Sequence, residues 1–351
     1  KFDLQAISNH LPSIARHEKM ASAPVRSGTT DDRVHTRGHD ARKEASVNPI
    51  TIAHLSDPHL PTEMTPPRLA ERLNKRMFSY LSWRRHRRFV HRPEILARVM
   101  ADIAASHVSM IALTGDLTNM GLPGECRNAL RWLEQMPAPC TVIPGNHDTL
   151  VHDNWQRTVG LWQPWMGRLP FPFMRRVGSV ALIGVSSALP TPWFRATGTM
   201  GARQAARLRA LLHETGRQGL CRIVMIHHPP VPGLAITRKA LTDPDNFAAC
   251  IAREGAEMVL HGHIHTSTVS SLPGPRGAVP VLGIASASAR SRDPLRAAGW
   301  NRITVSTCET GYALGVTRRF FPDDAQAGTS QETIFEPLPP SRTFSGISTP
   351  P

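Results

Sequence analysis

Short apolar runs alternate with amphipathic stretches along the middle of the chain. The first apolar run, "ITIAHLS" at 50–56, predicts a buried strand. Further runs of this kind predict strands at 109–115, 140–145, 179–187, 221–228 and 257–263. Helical periodicity predicts helices between them, at 93–107, 124–136, 202–214 and 237–253. This alternation predicts an α/β fold built on layered sheets.

The two ends of the chain differ in composition from the middle. Residues 1–48 are polar, mixed in charge and aperiodic, which predicts a disordered lead-in. Residues 267–318 hold short β-rich runs separated by Gly and Pro, and we expect hairpins there. Residues 319–351 turn to Pro, Ser, Thr and Gly and are predicted to form a tail. A single domain is therefore expected at 49–318.

Composition and cysteine usage indicate the cellular compartment in which the protein is expected. The five cysteines are scattered without CxxC spacing, which argues against a disulfide framework and fits a reducing compartment. No apolar run approaches the roughly 18 residues of a membrane span, and the N-terminus lacks the apolar core of a secretory signal. The chain begins with Lys1, so its true start stays open, with Met20 as an alternative. We expect a cytoplasmic protein of open oligomeric state.

Positive charge is concentrated in one segment. The net charge is +14, and residues 68–98 hold ten Lys or Arg against two acidic residues. We expect a basic, aromatic insertion at about 66–92, after the first predicted strand. Its candidates for contact with an anionic substrate are Arg84, Arg85 and Arg88. Two alternatives stay open: peripheral contact with an acidic membrane surface at the inner face of the membrane, and an amphipathic helix whose aromatic side chains pack on the core.

A second aromatic segment lies at 154–174 and contains three Trp and two Phe. It is expected to form either a cap over the site or a packed excursion of the chain, and the sequence leaves both open. Neither aromatic segment matches a nucleic-acid-binding motif, so a nucleic-acid partner is open but not favoured.

Polar side chains that can bind metals follow five of the predicted strands. Asp57 and His59 follow the first strand, and Asp116 follows the second. "GNHD" follows the third, while "HHPP" and "HGHIH" lie at the ends of two later strands. Each feature alone is ordinary, since Pro144-Gly145-Asn146, for example, is a common turn signal. Because ligands of open α/β sheets bind outside the carboxyl ends of the strands, the set predicts one shared metal site.

The motifs D-x-H, G-D, G-N-H-D, H-x-P and G-H-x-H resemble, in type and order, those of the calcineurin-like metallophosphoesterase superfamily and its bacterial phosphodiesterase branch. They span residues 57–265. The resemblance implies a four-layer αββα sandwich with the metal site at the C-terminal ends of the strands. It also implies that two metal ions are bound.

The resemblance divides the ligands between the two ions. One ion would be held by Asp57, His59 and His265. The other would be held by Asn146, His227 and His263. Asp116 would bridge the ions, with one carboxylate oxygen on each. Mixed Asp, His and Asn ligation suits Mn²⁺, Fe or Zn²⁺ better than Ca²⁺, and the small number of carboxylates leaves positive charge for an anionic phosphate.

The resemblance also implies residues for catalysis and substrate contact. His147 follows the ligand Asn146 and would hydrogen-bond a phosphoryl oxygen or protonate the leaving group. Asp148 would orient the groups around it. His228, next to the ligand His227, is a candidate for substrate contact or for a position behind the ligands.

The leading hypothesis is a phosphohydrolase that cleaves a phosphodiester, of the cyclic nucleotide or glycerophosphodiester type, by in-line attack of metal-bound hydroxide. A second hypothesis is pyrophosphate cleavage in a UDP-linked lipid, such as UDP-diacylglucosamine, at the membrane surface. In both cases the partner is an anionic, phosphate-containing small molecule. A nuclease ranks third, and a non-catalytic scaffold is disfavoured because all seven ligand positions are filled.

Overall fold

Two β-sheets form the centre of the fold in the computed structural model, whose described residues are 49–61, 74–309, 311–323 and 329–338. The strands in these residues are β1 (Ile50–Leu55), β2 (Met110–Leu113), β3 (Cys140–Val142), β4 (Phe173–Val177), β5 (Val180–Gly184), β6 (Cys221–Met225), β7 (Met258–His261), β8 (Thr268–Gly274), β9 (Gly277–Gly283), β10 (Ala298–Cys308), β11 (Gly311–Phe321) and β12 (Ser330–Leu338). The helices are α1 (Lys75–Ser82), α2 (Arg88–Val90), α3 (Pro93–Ala105), α4 (Pro123–Glu134), α5 (Ala202–Arg217) and α6 (Pro244–Glu254). A π-helical turn at Trp83–Arg87 joins α1 to α2.

The strand order places the predicted site motifs at neighbouring strand ends. The first sheet has the order β12-β11-β10-β1-β2-β3, in which β1, β2 and β3 are parallel. The second sheet has the order β4-β5-β6-β7-β9-β8, in which β5, β6, β7 and β9 are parallel. The loops that follow parallel neighbours leave a sheet at the same edge, which is where such folds bind their ligands.

The central strands β2, β5, β6 and β7 are buried on both faces, which explains the continuous apolar runs of the sequence. In β5, Val180 and Leu182 belong to the core that joins the two sheets. Ala181 and Ile183 belong to a second core with α5 and α6. Successive side chains of a strand point to opposite faces, so one strand serves both cores. Helices α3 and α4 pack on the first sheet, and the predicted αββα sandwich is confirmed.

The C-terminal boundary of the domain lies later than composition predicts. β11 continues to Phe321, and β12 pairs antiparallel with it, from Ser330 opposite Phe320 to Leu338 opposite Leu314. The tail predicted to begin at residue 319 is therefore corrected. β12 is an edge strand whose residues 331–333 are exposed, so it lacks the apolar run by which buried strands are found. Residues 339–351 and the predicted lead-in at 1–48 lie outside the described residues.

The basic insertion is helical from Lys75 to Val90, whereas residues 62–73, in which its predicted start at 66 falls, lie outside the described residues. Its aromatic side chains do not all pack inward, since Phe78 is 44% exposed and Phe89 is 54% exposed. The helix predicted at 237–253 divides into a 3₁₀ turn at Thr237–Lys239 and α6, which begins at Pro244. None of the helices in the described part of the chain is both long and apolar enough to cross a bilayer.

The aromatic segment at 154–174 lies largely against the core. It forms two 3₁₀ segments, Trp155–Arg157 and Val159–Trp165, and then enters β4. Trp162 is fully buried, and its Nε1 donates a hydrogen bond to the carbonyl of Cys126 at 3.0 Å. This packing favours a packed excursion over a cap.

Asp102 ties α3 to the first sheet. Its carboxylate accepts hydrogen bonds from Arg319 Nε at 2.7 Å and Nη2 at 2.6 Å, and from Trp300 Nε1 at 2.8 Å. Burial raises the pKa of Asp102, but the bonds from Arg319 and Trp300 outweigh burial and bring it below its ordinary value. We expect Asp102→Asn to lower the free energy of unfolding by about 2 kcal/mol at pH 7, measured by urea denaturation.

The loss caused by Asp102→Asn should depend on pH. A carboxyl whose pKa is lowered by folding stabilises the fold above its unfolded pKa and loses this effect as pH falls through the folded-state pKa. The difference between wild type and variant should therefore shrink below about pH 4. The exposed Glu134 of α4 offers a control, because Glu134→Gln should change stability by less than about 0.5 kcal/mol. An equal loss in both variants would contradict the role of Asp102.

Candidate active site

Seven side chains from five strand ends meet at one edge of the two sheets. They are the predicted ligands Asp57, His59, Asp116, Asn146, His227, His263 and His265. Six of them supply possible ligand atoms that form close groups. In each group, all the ligand atoms lie within 4.8 Å of one another. Asn146 joins through its Oδ1, which lies 3.1 Å from His227 Nε2. The two sheets thus supply opposite sides of one site.

The first group of ligand atoms surrounds the end of β1. His265 Nε2 lies 3.1 Å from Asp57 Oδ1 and 3.2 Å from His59 Nε2. His59 Nε2 lies 3.9 Å from Asp57 Oδ1. The other oxygen of Asp57 is already used, since Oδ2 accepts a hydrogen bond from the backbone N–H of His263 at 3.0 Å. Asp57 Oδ1 and the two Nε2 atoms therefore face one another across a space suited to one ion.

Asp116 links the two groups. Its Oδ2 lies 3.9 Å from His59 Nε2 and 3.5 Å from His227 Nε2, between the two groups. Its Oδ1 instead accepts a hydrogen bond from the backbone N–H of His147 at 2.7 Å. The expectation of one oxygen on each ion stays a prediction. The contacts favour Oδ2 as the atom that faces both groups, because Oδ1 accepts the hydrogen bond from His147.

The hydrogen bonds of three histidines leave a lone pair directed into the site. His59 Nδ1 donates to Thr118 O at 3.1 Å, and His227 Nδ1 donates to Thr114 O at 2.6 Å. His263 is turned the other way, with Nε2 donating to Lys239 O at 2.9 Å. Backbone carbonyls fix ligand histidines in this way at metal sites. Imidazole nitrogens and carboxylate oxygens that converge in this way are the ligands that Mn²⁺, Fe and Zn²⁺ prefer, so the donor set fits bound metal.

Electrostatics in the site separate His227 from the other ligands. Burial lowers the pKa of His227, but the Asp116 carboxylate outweighs it and raises the pKa to about 9. Burial holds the pKa of His59 and of His263 well below the ordinary value, so these rings are neutral at pH 7. Neutral imidazole is the form that binds metal, and at His227 a metal ion must displace a proton.

The backbone is strained at most of the predicted ligands. Seven non-glycine residues in the described parts of the chain have positive φ, between 40° and 72°. Five of these are the predicted ligands Asp57, His59, Asp116, His263 and His265. This left-handed conformation costs of order 1–3 kcal/mol for a residue other than glycine, and it concentrates at functional sites. The sequence motifs name these residues but do not reveal their conformation.

Gly145 and Gly262 allow the chain to approach the ligand carboxylates. A Cβ added at Gly145 would collide with Asp116 Oδ1. One added at Gly262 would collide with Ser56 Oγ and crowd Asp57 Oδ2. The glycines of "GNHD" and "GHIH" are therefore needed for close contact between loops.

Asp148 holds together the loops after β2 and β3. Its Oδ2 accepts hydrogen bonds from the backbone N–H of Asp116 at 2.9 Å and of Gly145 at 2.8 Å. Its Oδ1 accepts from the backbone N–H and the hydroxyl of Thr118, both at 2.9 Å. Burial and the charge of Asp116 raise the pKa of Asp148 to about 7. Both oxygens are engaged by the protein, so the side chain positions its neighbours rather than contacting substrate.

His147 lies beside the ligands without joining either group. Its Nδ1 lies 2.7 Å from the carbonyl of Asn119, which requires a proton on Nδ1. Its ring meets the ring of His59 edge-on, with centroids 5.1 Å apart. Burial and then Arg87 lower the pKa of His147 to about 3. Nε2 is left as the atom that can act on a bound substrate.

His228 is fully buried behind His263. Its Nδ1 lies 2.7 Å from Ser187 Oγ, and its Nε2 lies 3.2 Å from Ala196 O. Its ring centroid is 4.3 Å from that of His263. Of the two roles that the sequence left open, this placement fits a position behind the ligands.

The arginines predicted to contact substrate lie on the surface. Arg84, Arg85 and Arg88 are all exposed, and Arg88 lies over the ring of Phe89 at 4.6 Å. The segment instead brings Arg87 inward, where its Nη1 lies 3.0 Å from His147 Nδ1. His91 is also turned inward, with its ring centroid 4.4 Å from that of His59. The sequence reading missed both, although their i, i+4 spacing in a basic helix could have indicated a shared face.

A family model described as calcineurin-like phosphoesterase matches residues 50–267. The chain belongs to this family. The phosphoesterase is similar to a probable cyclic nucleotide phosphodiesterase from Synechococcus sp., with 26% identity over 213 residues, which are 60% of this chain and 76% of the relative. Among solved structures it is similar to a dimetal phosphatase from Danio rerio, with a TM-score of 0.50, 11% identity, and coverage of 81% of this chain and 98% of the other.

A purple acid phosphatase from yellow lupin (Lupinus luteus) seeds is similar to the phosphoesterase with a TM-score of 0.49 and 11% identity. The match covers 78% of this chain and 51% of the lupin protein. The resemblance read from the sequence motifs is confirmed by the family match, and the protein is a metal-dependent hydrolase of phosphoric ester bonds.

Proposed function

We propose that this phosphoesterase hydrolyses a phosphodiester, of the cyclic nucleotide or glycerophosphodiester type, with two metal ions bound. The observation that carries the proposal is the complete ligand set, in which Asp116 Oδ2 lies between His59 and His227. The similarity to a probable cyclic nucleotide phosphodiesterase supports the choice of substrate. Asn146 is a neutral ligand, so Asp57 and Asp116 are the two carboxylates in the set, which favours binding of an anionic phosphate.

Each residue of the site has a part in the proposed reaction. The seven ligands would hold the ions, which supply Lewis acidity at the phosphoryl group. Asp148 keeps the Asp116 backbone in place through Oδ2. The Nδ1–H of His147 donates a hydrogen bond to the carbonyl of Asn119, so the ring orientation is fixed. Because burial lowers the pKa of His147 to about 3, Nε2 carries a lone pair at rest. The ring would donate to a phosphoryl oxygen or to the leaving group only after Nε2 takes the proton released by the attacking water.

The proposal is tested by loading the protein with Mn²⁺ and comparing four substrates. These are bis-p-nitrophenyl phosphate, p-nitrophenyl phosphate, cyclic AMP and a UDP-linked lipid. We expect the diesters to be cleaved with the higher kcat/KM, and metal-free protein to be inactive until Mn²⁺, Fe²⁺ or Zn²⁺ is added. Higher kcat/KM for the monoester would contradict the diesterase proposal.

A second candidate is pyrophosphate cleavage in a UDP-linked lipid, and one surface feature favours it. Trp193 and Phe194 are 47% and 76% exposed, and both contact Phe78 of α1. Arg84 and Arg88 are exposed on the turns that follow α1. Exposed aromatic and basic side chains together suit the surface of an acidic membrane.

Membrane flotation separates the two candidates. The lipid-substrate hypothesis predicts that the protein binds vesicles containing acidic lipid at low salt. It also predicts that the double variant Trp193→Ala/Phe194→Ala no longer binds them. No binding at low salt would remove this reading and leave the soluble diester proposal intact.

A further inference from the structure

We propose that Arg87 binds a non-bridging oxygen of the phosphoryl group in this site, and that the π-helical turn of the basic insertion serves to place it there. The proposal deepens the proposed function and rests on it, since it concerns the same site. The ligand is defined by its chemistry, as a tetrahedral phosphoryl anion. Inorganic phosphate and the phosphate of the ester share this chemistry.

The π-helical turn sets Arg87 apart from its neighbours. In the turn Trp83–Arg87, the residues Arg84, Arg85 and His86 are exposed, as is Arg88 directly after it. Arg87 is partly buried, and its guanidinium reaches His147. A π-turn inserts an extra residue into the helix and rotates the side chains that follow, and such turns concentrate at functional sites.

The contact between Arg87 and His147 does not satisfy the guanidinium. Arg87 Nη1 lies 3.0 Å from His147 Nδ1. That nitrogen also lies 2.7 Å from Asn119 O, a distance that needs a proton on Nδ1. A protonated Nδ1 has no lone pair for Arg87, because a ring nitrogen either donates or accepts. The guanidinium donors therefore lie beside the site without an acceptor at this contact.

No carboxylate lies within 4.0 Å of the Arg87 guanidinium in the parts of the chain that the structure describes. Burial lowers the pKa of Arg87, and the carboxylates of Asp116 and Glu125 oppose this only from a greater distance. Other inward-facing arginines do have such partners: Arg76 pairs with Asp153 at 2.7 Å and Arg222 with Glu257 at 2.9 Å. A partly buried guanidinium is costly without an anion, and Arg pairs with phosphate through two parallel hydrogen bonds. Bound phosphate supplies both the charge and the acceptors.

His91 continues the same side of the insertion. It lies four residues after Arg87, and its Nδ1 is 2.9 Å from Ser288 Oγ. Its ring contacts those of His59 and His265, with centroids 4.4 and 5.4 Å away. The insertion thus packs against the first group of ligands at His91 and against the His147 side at Arg87. This packing holds Arg87 beside His147, at the same end of the sheets as the ligand histidines.

The test measures inorganic phosphate binding by calorimetry to Mn²⁺-loaded Arg87→Gln, Arg87→Lys and wild-type protein, with metal content and thermal midpoint recorded for each. Arg87→Gln should weaken phosphate binding at least about tenfold and lower kcat/KM about a hundredfold, with both ions retained. Arg87→Lys should recover part of the binding, because an ammonium keeps the charge but not the paired donors. Arg203→Gln, an exposed change on α5, should match wild type within about twofold.

Three results would overturn the proposal. The first is phosphate binding in Arg87→Gln equal to that in Arg203→Gln. The second is loss of metal in Arg87→Gln, which would make the residue structural. The third is weaker phosphate binding in Arg88→Gln together with unchanged phosphate binding in Arg87→Gln. That result would assign the phosphate contact to the exposed arginines. Phosphate binding is independent of ester type, so a preference for monoesters would end the diesterase proposal without deciding this one.

Discussion

Replacing Asp116 with asparagine is expected to lower turnover at least about a thousandfold and to reduce the metal content of the protein. Asp116 Oδ2 lies between His59 Nε2 and His227 Nε2, so both metal positions depend on one atom. Asparagine keeps the acceptor for the His147 N–H but removes the negative charge. Turnover of bis-p-nitrophenyl phosphate and elemental analysis of the purified variant are the measurements.

The fold should survive the change at Asp116. Asparagine tolerates positive φ, and φ at this position is 56°. The change also removes a charge that raises the pKa of Asp148. It also removes the carboxylate that raises the pKa of His227, so the two effects oppose each other. We therefore expect the metal-free variant to unfold cooperatively, with a thermal midpoint close to that of the wild type. Asp245→Asn, an exposed change on α6, is the control. A variant that keeps two ions and a tenth of the activity would contradict the bridging role.

His147→Ala is expected to separate catalysis from metal binding. Its ring lies against that of His59 but belongs to neither group of ligand atoms, so both ions should remain. Turnover should fall about 10²- to 10⁴-fold, the range for loss of a proton-transfer group. Steady-state kinetics together with elemental analysis would test this.

The control for His147 is His213→Ala, since His213 lies on α5 and is mostly exposed. It should leave both activity and metal content unchanged. Two outcomes would contradict the prediction for His147: activity retained in His147→Ala, or metal lost from it. The backbone N–H of residue 147 is still present in the variant and can still donate to Asp116 Oδ1. Loss of that hydrogen bond would therefore not explain a loss of metal.

Where a motif follows a parallel strand, the sequence predicts which side chains the fold brings together. Asp57, Asp116 and Asn146 lie in the loops that follow β1, β2 and β3. Parallel neighbouring strands bring these loops to the same edge of the sheet. Apolar runs likewise predict strands that are buried on both faces, such as β5 and β6. These inferences need only local patterns and a general rule of sheet geometry.

Other features depend on contacts between distant parts of the chain. Arg87 lies in a π-turn that composition does not reveal, and its guanidinium reaches His147, which is distant in the sequence. Asp116 presents one oxygen to both positions because the His147 N–H occupies the other. β12 can be identified only from its pairing with β11, because its exposed residues do not form an apolar run in the sequence. In each case the decisive partner lies elsewhere in the sequence.

The four hydrogen bonds accepted by Asp148 have a consequence for motion at the site. They fasten the segment that carries Asp116 to the segment that carries Asn146 and His147. The proposed bridging ligand Asp116, the proposed ligand Asn146 and the proposed catalytic group His147 are thereby joined in one small rigid body. Thermal displacements of the three are expected to be correlated, so the distances among them vary less than the displacement of the loops themselves. Catalytic alignment can then persist while the surrounding surface fluctuates.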